Sequence, residues 1–364
     1  MKIYFVLPLL VMFYGCVKDN NPHSIYSYTV KAEDETGFDM TKISSFTEMI
    51  PLETTSESLI GKIRKVFLTD SAIIIWDSQT KSILSFDKTG KYSHRIGNRG
   101  SGPKDYLDIS DVLLKENKIM ISDPASRQII EYDLFGNFIS SWRLEYYIYS
   151  FYPDEDGFWG INAQQNEKQY YLIYFNRKDN KIDNGYFQGN GRIYLPYYIT
   201  NYFSPNEKTN DVLFHFPYQD MIYKITDKTL EPFLHIDFGN RKNTRDIYSK
   251  DFQSSEYDGK IHNVYAYGDH LFFSFVCFPN GEMKIFHVYI NLNDSVPTIY
   301  WINIKQPSEI VVQPLPEIIG LSRGKLIYQI IPDREGIVKR LNSTFENITF
   351  DLESNPILVL YTLN

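Results

Sequence analysis

The sequence predicts an all-β protein, a six-bladed β-propeller with four-stranded antiparallel blades whose ring is closed by an N-terminal strand. Three observations carry this prediction. Residues 73–96, "IIIWDSQTKSILSFDKTGKYSHRI", realign without a gap on residues 119–142, "IMISDPASRQIIEYDLFGNFISSW". All-strand self-similarity at a period of 40–50 residues is the mark of propeller blades. Aromatic residues make up 16% of the chain, with 29 Tyr and 25 Phe, a bias towards pleated, half-buried surfaces. No stretch carries a long helical period.

From the N-terminus, "MKIYFVLPLLVMFYGC" places Lys2 before an apolar run that ends at Gly15-Cys16. The run is too short to span a bilayer and has the length of a signal-peptide core. Cys16, following a small residue where the signal should be cut, resembles the lipobox of bacterial lipoproteins. That resemblance implies residues 1–15 as a lipoprotein signal peptide, with Cys16 as the lipid-attachment residue. The alternative is an ordinary secretory signal with a chance cysteine. Residues 16–42 are expected to be a polar linker and 43–364 the propeller. Only one other cysteine exists, Cys277, so an acylated Cys16 leaves no intrachain disulfide. "SFTEMIPLET" (45–54) has strand character ahead of the first repeat and is placed to become the outermost strand of the last blade. Such a strand hides the edges that an open ring would expose.

Within the repeat, Asp77 aligns with Asp123, Ile83 with Ile129, Asp87 with Asp133 and Gly90 with Gly136. Each copy reads as strand, polar turn, strand, a turn closed by glycine, strand. The glycine supplies the positive φ such a hairpin needs. Between the copies, "HRIGNRGSGPKDYLDISDVLL" (94–114) poses a choice between a phosphate cradle and a joint. A cradle needs a helix after the glycines, so that its free N–H groups face the phosphate. The glycines here lead instead into "ISDVLL", a strand, so the segment is read as a joint between blades. Later units recur less cleanly at 157–182, 211–226, 269–291 and 324–363.

"IPLETTSESLIGKIRKVFL", the joint and its flanks, "VLFHFPYQDMIYKI" and "NPILVLYTL" resemble the six-bladed propeller lipoproteins of Bacteroidetes, relatives of NHL-repeat propellers. The resemblance covers roughly residues 45–364. It implies the fold and a cell-envelope address, as an outer-membrane lipoprotein facing the periplasm or the surface. It brings no catalytic residues. The joint departs from that family's usual Gly-Pro-Gly-Glu-Tyr, reading Gly102-Pro103-Lys104-Asp105-Tyr106 here.

A net charge of −8 without a run of Lys and Arg argues against a nucleic-acid partner. None of the seven histidines forms His-Glu-x-x-His, and no paired cysteines offer a zinc site. His215 alternates with Phe214 and Phe216 and is expected inside a blade, hydrogen-bonded. Asp105, Asp108 and Asp111 lack the spacing of a calcium loop and are read as turn-capping carboxylates. "YYIYSFYP" (146–153) and "YLPYYITNYF" (194–203) sit at the starts of inner strands. Their tyrosines either face a channel mouth, where ring and hydroxyl suit sugars and peptides, or pack between blades. Arg99, Tyr147, Tyr198 and His262 fall at joints and form the candidate ligand-binding set. No catalytic residue, metal ligand or cofactor is expected.

The reading is a non-catalytic binding or scaffold propeller for a glycan, peptide or protein partner, touching the membrane only through its N-terminal lipid. The alternative is a metal-dependent hydrolase or lyase. Its central-channel site would draw single residues from several blades and leave no local motif.

Overall fold

A computed structural model describes residues 25–31, 36–38, 42–163, 169–189, 201–216, 219–238, 260–277, 284–302 and 318–364. Six sheets succeed one another in a ring. Blade one holds Ile63–Leu68, Ala72–Asp77, Ser82–Asp87 and Tyr92–Arg95; blade two holds Asp111–Lys115, Lys118–Asp123, Gln128–Asp133 and Phe138–Arg143. Blade three runs from Ile148–Pro153 to Lys181–Gly189, blade four from Phe203–Pro205 to Thr229–Asp237, and blade five from Lys260–Tyr267 to Thr298–Ile302. Blade six takes Gly320–Ser322, Lys325–Ile330 and Ile357–Leu363 from the C-terminal part of the chain. Its fourth strand, Ser44–Pro51, comes from the N-terminal part.

That fourth strand pairs antiparallel with Ile357–Leu363, from Pro51 opposite Ile357 to Ser44 opposite Leu363. The expected closure is therefore observed. Each junction between neighbouring blades buries its own apolar cluster: one with two, two with three, three with four, four with five, five with six, and six with one. The core is six radial wedges around an axis. The wedge between blades three and four is the most aromatic, with Phe187 stacked on Phe216 at 4.6 Å and Trp159 edge-on to Tyr174.

The repeated residues have repeated tasks. Asp77 and Asp123 are fully buried at the ends of second strands. Asp77 accepts the backbone N–H groups of Gly61 and Lys62 at 2.8 and 2.9 Å. Asp123 accepts those of Leu107 and Asp108. Each carboxylate thus ties its own turn to the loop entering the blade, satisfying amides that would otherwise be buried unpaired. Asp87 and Asp133 cap the outer hairpins, which Gly90 and Gly136 close at φ +90° and +85°. Hydrogen bonds from Thr89, and from the backbone of Thr89 and Lys91, hold the Asp87 carboxyl below its usual range. Lys81 and Arg127, which the same gapless realignment places opposite one another, both take the left-handed conformation, at φ 54° and 53°.

The glycine stretch is the expected joint. Gly97 takes φ +66°, and a β-carbon there would lie 2.7 Å from the Tyr132 ring, which rests on the loop. Tyr106 is fully buried and donates its hydroxyl to Lys81 O, while Tyr132 donates to Lys104 O at 2.6 Å. Gly97→Ala is expected to cost at least the roughly 1–2 kcal/mol of a left-handed non-glycine residue, with the overlap on Tyr132 adding to it. Chemical denaturation checks this, and an unchanged midpoint would contradict the packed joint.

Three elements differ from expectation. Residues 16–42 are not linker throughout. Tyr26–Thr29 adds to blade four as a fifth strand, parallel to Thr229–Asp237, and Thr36–Phe38 adds in the same way to blade five. Tyr28 and Val30 are buried in the wedge between those blades, and the Tyr28 hydroxyl donates to Asp294 O. Apolar burial and an open sheet edge outweigh the polar local composition. A helix, Glu335–Thr344, also interrupts blade six and rests Leu341 on the cluster shared with blade five.

Candidate functional site

The axis is narrow. A cavity of about 150 Å³ lies among the inner strands, walled by Lys65–Leu68 of blade one, Leu113 and Leu114 of blade two, Phe203–Pro205 of blade four, Tyr265 of blade five and Gly320–Arg323 of blade six. Most of the polar side chains around it join blades. Lys65 Nζ reaches Asp111 Oδ1 at 2.6 Å, and Ser150 donates to the other carboxylate oxygen at 2.5 Å, linking blades one, two and three. Ser322 accepts Leu68 N–H between blades six and one, and Asn201 donates to Val264 O between blades four and five. Glu207 accepts Gly324 N–H between blades four and six.

A larger cleft of about 670 Å³ lies at the seam of blades six and one. The loop leaving the closing strand supplies Leu52 to Ser56 and Leu59, the outer hairpin of blade one supplies Thr89 to Lys91, and the segment before Ile357–Leu363 supplies Ile348 to Asp351, Glu353 and Ser354. Asn355, fully buried, holds these pieces together. Its Nδ2 donates to Glu53 O and Ser58 O, and its Oδ1 accepts Ile60 N–H, each at 2.8 Å. Leu59 and Ile348 remain exposed in the cleft, with Leu352 exposed beside it. Three carboxylates, Glu53, Asp351 and Glu353, face one cation, Lys91. Such walls accept sugar hydroxyls, apolar faces and basic groups, and repel anions. The volume is that of ordinary small-ligand pockets.

The residues expected to bind ligand are placed variously. Arg99 is exposed in the joint between blades one and two, and its Nε donates to Leu107 O. Tyr147, 39% exposed, precedes the inner strand of blade three. His262 is 3% exposed, within the inner strand of blade five and opposite Ser274. Tyr198 and Cys16 lie outside the described residues. Most described tyrosines of the two runs pack between blades: Tyr149 lies edge-on to Tyr202, and Tyr152 against Phe203. His215 is buried as expected and stacks on Tyr202, but neither ring nitrogen has a hydrogen-bond partner among the described residues. Burial pushes its pKa down to about 3, so at neutral pH it is an uncharged aromatic filler.

Among the described residues, no three His, Cys, Asp or Glu side chains gather as metal ligands, and no helix is long and apolar enough to cross a membrane. Sequence reasoning missed the seam cleft. Its only trace was the Ser/Thr-rich "ETTSES" turn and the Asn355-Pro356 pair, which nothing local connects.

Comparison with known proteins agrees with the fold. A crystal structure of a "putative exported protein" from Bacteroides fragilis superposes with a TM-score of 0.70 at 16% identity, over 94% of this chain and 100% of that one. A member of the DUF4221 family from Bacteroides vulgatus gives 0.50 at 10% identity, over 88% and 99%. A catalytically inactive virginiamycin B lyase from Staphylococcus aureus gives 0.43 at 11%, over 87% and 99%, too distant to bear on chemistry. No curated protein matches. The model of one family, described as a domain of unknown function, DUF4934, matches residues 25–362, and the chain belongs to that family.

Proposed function

We propose that this chain is a cell-envelope lipoprotein that binds a partner without chemical turnover, and that the seam cleft between blades six and one is its binding site. The carrying observation is the contrast between the two cavities. The axial one is small, and most of the polar side chains around it are committed to holding blades together. The seam cleft is several times larger, open and lined by hydroxyls, carboxylates and exposed apolar side chains. Two of those carboxylates also hold local contacts, Glu53 accepting Tyr92 N–H and Asp351 the Ser354 hydroxyl. Its excess of carboxylates favours a neutral glycan or a peptide bearing Lys or Arg over an acidic ligand. Support for the envelope address comes from the apolar run before Gly15-Cys16, and from the fold shared with a Bacteroides protein whose own description is that of an exported one.

The test is a binding screen with neutral oligosaccharides, basic peptides and acidic counterparts of each. Leu59→Ala and Glu353→Lys should each weaken the best binder about tenfold. Both positions are exposed, so stability should move by less than about 0.5 kcal/mol. Retained binding in both variants would remove the seam as the site. Loss of binding in Arg99→Ala or Tyr147→Ala instead would move it to the interblade face that exposes those two residues.

A further inference from the structure

The two added outer strands show where the chain enters the ring. Tyr26–Thr29 lies on the rim of blade four, Thr36–Phe38 on that of blade five, and Ser44–Pro51 closes blade six. The N-terminal chain is thus a belt over three consecutive blades, and its first strand starts at Tyr26, beside Leu234. Ten residue steps separate Cys16 from Tyr26. At full extension they reach roughly 33–36 Å. A compact body of this length has a radius of gyration near 20 Å, hence a width of roughly 50 Å. A lipid at Cys16 therefore holds blade four near the bilayer, with a leash shorter than the body it holds.

Blade one is diametrically opposite blade four in the ring, and the seam cleft lies between blades six and one. We infer that the belt orients the propeller edge-on, with blade four towards the membrane and the seam cleft turned away from it. The inference rests on the lipoprotein reading and deepens it. A cleft held off the membrane serves a soluble polymer or protein partner rather than a bilayer lipid. Ile25 and Tyr26, both exposed, with Tyr26 against Phe233 at 5.4 Å, are the apolar side chains that the short leash brings closest to the headgroups.

The test uses the lipidated protein in phosphatidylethanolamine and phosphatidylglycerol vesicles that carry an energy-transfer acceptor on the headgroups. With Cys277→Ser to remove the other thiol, a donor dye is placed on Glu231→Cys, at the entry side of blade four, or on Ser93→Cys, on the outer strand of blade one. Both positions are exposed. Transfer should be at least twofold greater from position 231. Inserting about thirty Gly/Ser residues after Asn20, which adds on the order of 30 Å of reach, should bring the two values together. Equal transfer without the insertion overturns the orientation while leaving anchoring intact. A difference that survives the insertion overturns the short leash as its cause. Membrane association that persists in Cys16→Ser after a high-salt wash overturns the anchoring reading, and the orientation with it.

Discussion

Deleting residues 17–54 is expected to leave a chain that no longer folds cooperatively, whereas deleting 17–42 leaves a folded but weakened ring. The longer deletion strips Ser44–Pro51 from Ile357–Leu363 and takes Ile50 and Leu52 out of the cluster between blades six and one. Losing two buried aliphatic side chains costs roughly 2–5 kcal/mol each. Native proteins have only about 5–15 kcal/mol in total. The bared edge of the last blade also offers a template for aggregation. The shorter deletion spares the closure and removes Tyr28, Val30 and the two added outer strands, so its melting temperature should fall without loss of the cooperative transition. Size-exclusion chromatography and thermal melts decide the matter. Melting temperatures within about 2 °C of each other, roughly 1.4 kcal/mol in a chain of this size, would mean that the closing strand does not fasten the ring.

Lys65→Ala is expected to cost roughly 3–5 kcal/mol, the range for breaking a buried ion pair from one side. The Lys65 side chain is 12% exposed and that of Asp111 4%. Without the ammonium, the carboxylate stays buried with only the Ser150 hydroxyl and backbone N–H groups to hold it. An exposed pair of the same geometry would be worth less than about 1 kcal/mol, so the measured value separates the two situations. Lys65→Met combined with Asp111→Leu should recover part of the loss, because apolar replacement removes both desolvation costs together but leaves the Ser150 hydroxyl without its acceptor. Urea denaturation of the two single variants and the double variant gives the coupling directly. A Lys65→Ala effect below about 1 kcal/mol, the exposed-pair range, would remove the pair from the forces joining blades one and two.

Much of the architecture is legible along the chain because it is written in local chemistry. Short apolar runs bounded by polar turns mark the middle strands of blades one and two. Asp87 with Gly90, and Asp133 with Gly136, mark outer hairpins, since a side-chain cap and a positive φ act over four residues. The joint at 96–110 could be told from a phosphate loop because the next element is a strand. Even the closing strand could be read from "SFTEMIPLET", because a strand-like stretch ahead of the first repeat is where a closed ring must find its last edge.

Tertiary structure alone decided the rest. Tyr26–Thr29 is a four-residue strand whose partner lies some two hundred residues away, and it adopts its form because the edge of blade four offers N–H and C=O groups to pair. His262 looks like any joint residue in sequence and becomes part of a buried wall because the strand Lys260–Tyr267 lies innermost in its blade. Lys65 and Asp111 show no relation in sequence until two inner strands stand side by side. The seam cleft is the extreme case. Asn355 and Ile60 are separated by almost the whole chain, and only closure of the ring, driven by burial of the last wedge, brings them within a hydrogen bond of 2.8 Å. Local turn chemistry acts over a few residues and can be read from them, whereas a binding surface assembled by ring closure belongs to no single stretch.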